Sequence, residues 1–345
     1  MGTGAGHRSD VVVIGAGLAG LVAARSLAEH GLTVTLLDEG TSAGGRLATR
    51  RLGAAVLDHG AQFFTVRSDE FAGLVERWRA QGVPVSVWCH GFTQAHDIRS
   101  GPPGITSIDG DGYPRYTVDG GMRTLAAALS AGLTVRVRHR VRAVRRAGAG
   151  WHLAVTGARV APDAAALLCT PPVPRTLALL DRGAVTLPAA IATALREVAY
   201  EPCLALLTAL DRDPGLMAPG GIQFAHGPVR WLADNARKRV SPRPAVTVHA
   251  TAQWSRTWYN AGDTAVAGRL LDWLRPWLGD ARVTATHVTR WRYAQPRDVV
   301  DAPTMCADVD GAAIAFAGDA FGHPRVEGAA RSGLAAAAAL IAVLD

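Results

Sequence analysis

The 345-residue chain exceeds one average domain, and 49% apolar against 19% charged residues excludes a disordered polymer and supplies a sizeable core. A formal charge of +7 invites a nucleic-acid reading. Only Lys238 among the 36 basic residues is a lysine, however; the arginines are scattered, and no nucleic-acid module is visible, so no such partner is expected. Cys89, Cys169, Cys203 and Cys306 lie far apart without metal spacing, so they are expected to be reduced and mostly buried. The first nine residues lack an apolar signal region, and the longest uncharged apolar stretch, Ser332 to Leu344, is too short to span a bilayer. A cytoplasmic protein with no membrane partner is the expectation.

Val11-Val-Val-Ile14 is a continuous apolar run of the kind a parallel strand buried on both faces requires. A helix follows from Leu18 to His30, closed by Gly31, and a second strand runs from Leu32 to Leu37, ending at Asp38. Next come a helix over Phe71 to Gln81, a Gly/Pro/His-rich stretch with Trp88 and Phe92, and a helix entered through Gly120-Gly121. The arginine-dense segment Arg136 to Arg146 reads as a strand with one solvated face, overlapping a strand-like stretch from Leu133 to Val144 that turns at Ala147 to Gly150 into another strand. Ala164 to Thr170 is a buried strand stopped by Pro171-Pro172, and Ala312 to Ala317 is another, followed by the Gly318-Asp319 turn and a closing helix. Between Val173 and Thr286 lie Trp231, Trp254, Trp258, Trp273 and Trp277, an aromatic-rich insertion suited to a substrate lobe.

Gly15-Ala-Gly-Leu-Ala-Gly20 sits between the first strand and the first helix, with Asp38 closing the second strand. In that context the pattern signals dinucleotide binding. Gly15 permits the tight turn, Gly17 admits a pyrophosphate to the backbone, Gly20 allows close helix-strand packing, and Asp38 receives ribose hydroxyls. Gly44-Gly-Arg46 adds a close backbone approach and a guanidinium suited to phosphate oxygens. At the other end of the chain, Gly318-Asp319 and Glu327-Gly-Ala329 resemble the second FAD signature of the amine oxidase and phytoene desaturase flavoprotein superfamily, which implies an acid near the flavin's ribityl chain and a helix N-terminus at its N1/O2 edge.

The Gly-Gly-Arg element resembles that of the amine oxidase and phytoene desaturase flavoprotein superfamily. Asp58-His-Gly-Ala-Gln-Phe-Phe-Thr65, Trp231-Leu-Ala-Asp-Asn235, His249 to Ser255, Arg290 to Pro296 and Arg325-Val-Glu-Gly-Ala329 narrow the likeness to bacterial renalase-like flavoproteins, over nearly the whole chain. The resemblance implies a Rossmann-type α/β FAD domain built from residues 8–75, 115–172 and 285–345. A second domain of mixed sheet plus helices, residues 76–114 and 173–284, would hold substrate. It implies non-covalent FAD held by Gly15, Gly17, Leu18, Ala19, Gly20, Asp38, Glu39, Gly45, Arg46, Gly60, Ala61, Gln62, Val141, Thr170, Gly318, Asp319, Glu327, Gly328 and Ala329. It further implies oxidation of 2- or 6-dihydro-NAD(P) isomers by hydride transfer to flavin N5, with dioxygen reduced to hydrogen peroxide.

Gln62, Phe63, Trp231, Asn235, His249, Trp254, Trp291 and Tyr293 are the candidates for the substrate slot. Trp254, Trp291 and Tyr293 also fit as core aromatics, and His249 as a satisfied core histidine. Cys89-His90 with His96 is too irregular for a metal site. Lys238, in the polar run Asp234 to Arg239, is not expected beside a flavin, which counts against an amine oxidase. An oxidase or desaturase of another small metabolite, and a redox-silent flavin protein, remain alternatives.

Overall fold

The computed structural model describes residues 9–95, 105–156 and 163–345. The chain divides into two compact units: the chain up to Gly45 with Ala126–Tyr200 and Gln295–Asp345, and Arg46–Leu125 with Glu201–Ala294.

The first unit is built on the strand Ser9–Ile14, flanked in parallel by Val34–Leu37 and Asp163–Cys169, with Val12 opposite Thr35 and Leu167. Val11, Val12 and Val13 have no solvent exposure, which accounts for the uninterrupted apolar run. Thr134–Arg136 extends the sheet beyond Val34–Leu37, and Ala312–Phe316 extends it beyond Asp163–Cys169, both in parallel. Met305–Val309 and the hairpin Arg140–Ala147/Gly150–Thr156 add antiparallel strands.

The single strand expected from Leu133 to Val144 is instead two. Arg138 adopts φ 58°, and the amides of Arg138 and His139 donate to the carbonyls of Gly40 and Asp38, so the chain leaves the parallel ladder before it enters the hairpin. Arg140, Arg142 and Arg145 are exposed, as a solvated face requires.

The closing helix, Arg325–Leu344, has 20 residues, more than the apolar stretch alone indicated. By length and composition it could cross a membrane, yet 44% of its most apolar window is buried inside the structure. It lies against the helix Leu18–Glu29, where a Cβ on Gly333 would stand 2.4 Å from the Ala19 carbonyl oxygen. Small residues on both helices make that approach possible.

In the second unit a sheet runs in the order Val283–Pro296, Tyr200–Leu210, Ala245–Ala250, Val229–Asp234, Gly221–Phe224, Phe92–Ala95, Ile105–Asp109. One face carries Leu204, Leu206, Ile222, Phe224, Leu232, Val246 and Val248 onto Val266, Leu270 and Leu274 of the helix Asp263–Leu274. The opposite face is different. Cross-strand register aligns Gln94 with Gln223, Gln223 with Trp231, and Trp231 with His249, so these four side chains form one row.

The unit boundaries differ from the sequence-based segments at residues 46–75, 115–125, 173–200 and 285–294. Ala55 and Leu57 pack with Leu207, Ala209 and Ala245 of the second unit. The helices Val173–Arg182 and Ala189–Glu197 bury Val173, Leu180 and Leu195 in the core that holds Ile14 and Trp151. Core burial, more than motif spacing, determines which unit a segment joins.

Candidate functional site

In the first unit, Gly15 has φ +97°, and the Thr170 hydroxyl donates to the carbonyls of Ile14 (2.8 Å) and Gly15 (3.0 Å). A Cβ on Gly15 would lie 2.5 Å from that hydroxyl, and one on Gly20 would lie 2.1 Å from the Gly15 carbonyl oxygen. Nothing lies within 4 Å of a Cβ built on Gly17. Gly15 and Gly20 are therefore required by packing, whereas Gly17 faces open space.

Leu18 and Ala19 open the helix, whose N-cap Gly17 provides no side-chain cap, so first-turn amides remain for an anion. Gly45, with φ +53°, brings the second glycine pair over this turn, since its Cβ would stand 3.3 Å from the Gly17 Cα. Asp38 accepts from the Ala16 and Gly40 amides, each at 2.7 Å. Burial raises the Asp38 pKa and the two amides oppose that rise. Each carboxylate oxygen keeps acceptor capacity for a ribose hydroxyl. These residues fit an FAD dinucleotide: an open glycine, uncapped amides and a fixed acid.

Other expected cofactor residues of this unit are placed as follows. Glu39 pairs with Arg175 and with Arg140, the latter at 3.3 Å. Val141 belongs to the core around Ile14 and Leu37. Gly318 (φ +147°) donates its amide to the Ser332 hydroxyl at 2.9 Å, and Asp319 beside it is buried. Glu327 lies in the first turn of the closing helix, followed by Gly328 and Ala329; a Cβ on Gly328 would stand 1.6 Å from the His323 carbonyl oxygen. That helix also lacks a side-chain cap, and Arg325 at its start is held at φ +79°, a strained conformation for a residue with a side chain.

The second unit centres on the segment Asp58 to Gln62. Gly60 is obligatory, because its Cβ would stand 2.0 Å from the Arg46 carbonyl oxygen, which accepts the Ala61 amide at 2.8 Å. The Arg46 guanidinium donates to the carbonyls of Tyr293 (3.3 Å) and Ala294 (3.4 Å).

The Asp58 carboxylate accepts from the Thr49 hydroxyl (2.6 Å), the Met122 amide (2.9 Å) and the Lys238 ammonium (3.1 Å). Lys238 also donates to Gln62 Oε1 at 3.2 Å. Gln62 Nε2 donates to the carbonyls of Asp58 (2.8 Å) and Gly60 (3.2 Å) and lies 3.4 Å from His249 Nε2. Asn235 accepts the Asp58 amide at 3.2 Å and donates to the Thr247 hydroxyl at 3.0 Å, which donates to the Asp58 carbonyl at 2.8 Å. The amide of Asn235 is thus spent on holding this segment.

Lys238 has no solvent exposure, contrary to its place in a polar run, and burial lowers its pKa against the opposing pull of Asp58. His249 is pushed down to about 3, first by burial and then by Lys238, Arg230 and His59. His59 falls to about 4, again chiefly by burial. Both imidazoles are neutral at pH 7.

Phe63, Trp88, Phe92 and Trp231 form an aromatic cluster, with Phe92 to Trp231 centroids 4.7 Å apart. The Arg115 guanidinium lies 5.8 Å from the Phe92 ring and the Lys238 ammonium 5.5 Å from Trp88. The Trp231 indole N–H is buried without a partner among the described residues. Trp291 donates its indole N–H to the His59 carbonyl at 2.7 Å and stacks on that imidazole, and Tyr293 follows on the same strand. Trp254 is placed elsewhere, against Trp258 on the helical side of the sheet.

The structure therefore gathers Gln62, Phe63, Trp231, Asn235, His249 and Trp291, and separates Trp254 from them. Sequence reasoning missed Lys238, Arg115, Gln94 and Gln223. A single lysine in an otherwise all-arginine chain was the one available signal for Lys238. Among the described residues no group of three or more His, Cys, Asp or Glu could hold a metal; Cys89 is half-buried, His90 is exposed, and His96 lies outside the described residues. All four cysteines are free; only Cys169 is buried, Cys89 and Cys203 are half-buried and Cys306 is exposed, which corrects the expectation that they are mostly buried.

A family model described as flavin containing amine oxidoreductase matches residues 90–341, and one described as NAD(P)-binding Rossmann-like domain matches residues 13–78. A putrescine oxidase from Kocuria rosea is 42% identical over 67 residues, 19% of this chain and 14% of that enzyme. A hydroxyneurosporene desaturase from Rubrivivax gelatinosus is 46% identical over 61 residues, 18% of this chain and 11% of that protein. The chain thus aligns with only about a seventh or less of these curated relatives. Among solved structures, putrescine oxidase bound to putrescine superposes with a TM-score of 0.75 at 17% identity, covering 97% of this chain and 99% of that one. Cyclohexylamine oxidase from Brevibacterium oxydans superposes at 0.72 with 14% identity, covering 96% and 98%. At such identities the likeness establishes the fold.

Proposed function

Since the chain belongs to the flavin containing amine oxidoreductase family, we propose that it is an oxidase of 2- or 6-dihydro-NAD(P), converting these mis-reduced isomers to NAD(P)+. FAD, the cofactor, supplies a hydride acceptor that dioxygen reoxidises with formation of hydrogen peroxide. The protein's share is to bind the substrate ring flat, orient it and exclude water.

The observation that carries this reading is the charge of the second unit's interior. Among the described residues its buried acids are Asp58 and Asp234, and both are engaged: Asp58 by Lys238, Asp234 by the amides of Ala236 and Arg237 and by the Arg237 side chain. The aromatic cluster is bordered by two buried cations that are themselves paired, Lys238 with Asp58 and Arg115 with the exposed Asp111 at 2.7 Å. A diamine must place an ammonium against an anion or in water, and among the described residues every carboxylate beside this interior is already engaged. A neutral, planar, electron-rich ring meets no such penalty. The neutral imidazole of His249 and the fixed amide of Gln62 suit a hydride transfer that needs no obligatory base. Free thiols suit a reducing cytoplasm, where we place the reaction.

The test is anaerobic stopped-flow absorbance with 2-, 4- and 6-dihydro-NAD(P), followed by air. Rapid bleaching with the 2- or 6-isomer, then recovery with peroxide, supports the reading; an oxidised flavin with every isomer sinks it. Amine oxidation is the second reading, favoured by the fold shared with putrescine and cyclohexylamine oxidases, and oxidation of another small metabolite is favoured by the short match to a desaturase. Amines and small cyclic metabolites form the second panel. A flavin untouched by either panel points to a redox-silent protein.

A further inference from the structure

The polar face of the second unit's sheet carries more than the dihydronicotinamide reading has used so far. Gln94, Gln223, Trp231 and His249 stand on four adjacent strands in one row, at the strand spacing of about 4.8 Å. Gln94 Nε2 donates to Gln223 Oε1 at 2.7 Å. That bond uses one donor and one acceptor of the pair, and leaves the Gln94 Oε1 acceptor and the Gln223 Nε2 donor without further protein partners among the described residues. Turning both amides over leaves the same complement, one acceptor and one donor. Both side chains are half-buried, so this complement sits at the rim of the interior.

Next along the row is the independent observation. Trp231 is 5% exposed, and its indole N–H is buried with no hydrogen-bond partner among the described residues. An unmet buried donor is costly, and native interiors rarely keep one without a ligand or water to receive it. Gly221 clears the neighbouring position, because a Cβ there would stand 2.6 Å from the Phe92 ring and 2.9 Å from the Trp88 ring. Those rings can therefore lie close to the sheet beside Trp231. The result is an aromatic wall next to an acceptor, a donor and a second unmet donor.

We propose that Gln94, Gln223 and the Trp231 indole N–H form a subsite for a primary carboxamide carried on a planar ring. This deepens the dihydronicotinamide reading and rests on it for the identity of the ring. The ligand's NH2 would donate to Gln94 Oε1, and its carbonyl would accept from Gln223 Nε2 and Trp231 Nε1. A carboxylate in the same place has no proton for Gln94, and an aminomethyl group has no acceptor for Gln223 or Trp231. Sites built to pair a polar substituent reject analogues that lack it far more strongly than apolar pockets reject isosteres.

The experiment is calorimetric titration of the FAD-loaded protein with nicotinamide, nicotinate and benzylamine, none of which needs turnover to be read. Nicotinamide is expected to bind at least tenfold more tightly than either analogue. Gln223→Leu and Gln94→Leu should bring the nicotinamide to nicotinate ratio within twofold. Gln223→Glu keeps the shape but sets acceptors against the ligand's carbonyl, so it should weaken nicotinamide at least tenfold and repel nicotinate as well. Trp231→Phe should weaken nicotinamide and nicotinate together and leave their ratio unchanged.

Equal binding of the three probes, no binding of nicotinamide, a ratio indifferent to Gln223→Leu, or nicotinamide binding unaltered by Gln223→Glu overturns the subsite. The parent reading fails separately. A carboxamide preference without flavin bleaching by any dihydro isomer keeps the subsite and removes the substrate. Bleaching without that preference does the reverse.

Discussion

Replacing Lys238 by methionine removes one partner from a pair that has no solvent on either side. The Asp58 carboxylate would keep its bonds from the Thr49 hydroxyl and the Met122 amide but lose its one cation among the described residues, 3.1 Å away. Breaking a buried pair in this way costs about 3–5 kcal/mol, because a charge is left uncompensated in a poorly polarisable interior. For a cooperative unit of this size that corresponds to a fall of roughly 6–20 °C in Tm. The double variant Asp58→Asn/Lys238→Met removes the pair as a whole and leaves shapes of similar volume, so it should recover most of the loss. The assay is thermal unfolding followed by tryptophan fluorescence, with released FAD as a second probe. A single variant within about 1 kcal/mol of the parent refutes the reasoning. So does a double variant no more stable than the single, since it would mean that packing of the lysine stem, and not charge, holds the segment.

Asp58→Asn alone leaves a buried amine whose folded pKa lies below its unfolded value, so the unfolded state binds more protons. Its stability should therefore rise with pH up to the unfolded lysine's 10.5, and a profile that stays flat all the way to that pH would contradict the assignment. Gly17→Ala should fold with an unchanged Tm of the apoprotein yet purify without yellow colour, whereas Gly20→Ala should lose stability outright, since only the latter Cβ meets backbone. A flavin-replete Gly17→Ala protein would move the pyrophosphate elsewhere. His249, lowered from 6.5 to about 3, contributes stability that is complete above pH 6.5 and is lost as the pH falls toward 3. Between pH 6.5 and 5 the loss is about 2 kcal/mol for this group. Denaturant unfolding of the parent and of His249→Asn should converge by that amount over this interval, and parallel curves would show that the imidazole is not held neutral.

The dinucleotide turn was legible because its causes are local. A buried strand, a turn forced to φ +97° at Gly15 and a helix packed within a methyl group's width at Gly20 all fall inside a dozen residues. Glycine at such positions is dictated by sterics that sequence spacing encodes directly. The second unit was far less legible, because its site is assembled by pairing among strands remote in sequence. Lys238 and Asp58 are 180 positions apart, and nothing in the run Asp234 to Arg239 announces which of its charged residues turns inward. The backbone decides it: the Lys238 and Val240 amides close a turn on the carbonyls of Asp234 and Asn235 and direct one side chain into the sheet.

The row Gln94, Gln223, Trp231 and His249 shows the same limit more sharply. Each member sits in an alternating segment where either face could be the core, and a slip of one residue in any strand would send its side chain to the helical side. The register is set by the apolar set on the other face, Leu204, Leu206, Ile222, Leu232, Val246 and Val248, whose burial against the helix Asp263–Leu274 leaves the intervening positions to the polar face. Hydrophobic burial on one side thus aligns hydrogen-bonding groups on the other. Chemistry at this sheet is consequently sensitive to core substitutions that touch none of its polar residues: Val248→Ala, opposite Leu206 and Leu232 in the ladder, should loosen the His249 position as well as cost about 1–3 kcal/mol in packing. A stability loss of that size with nicotinamide binding unaltered would show that the row is held by its own hydrogen bonds and not by the core behind it.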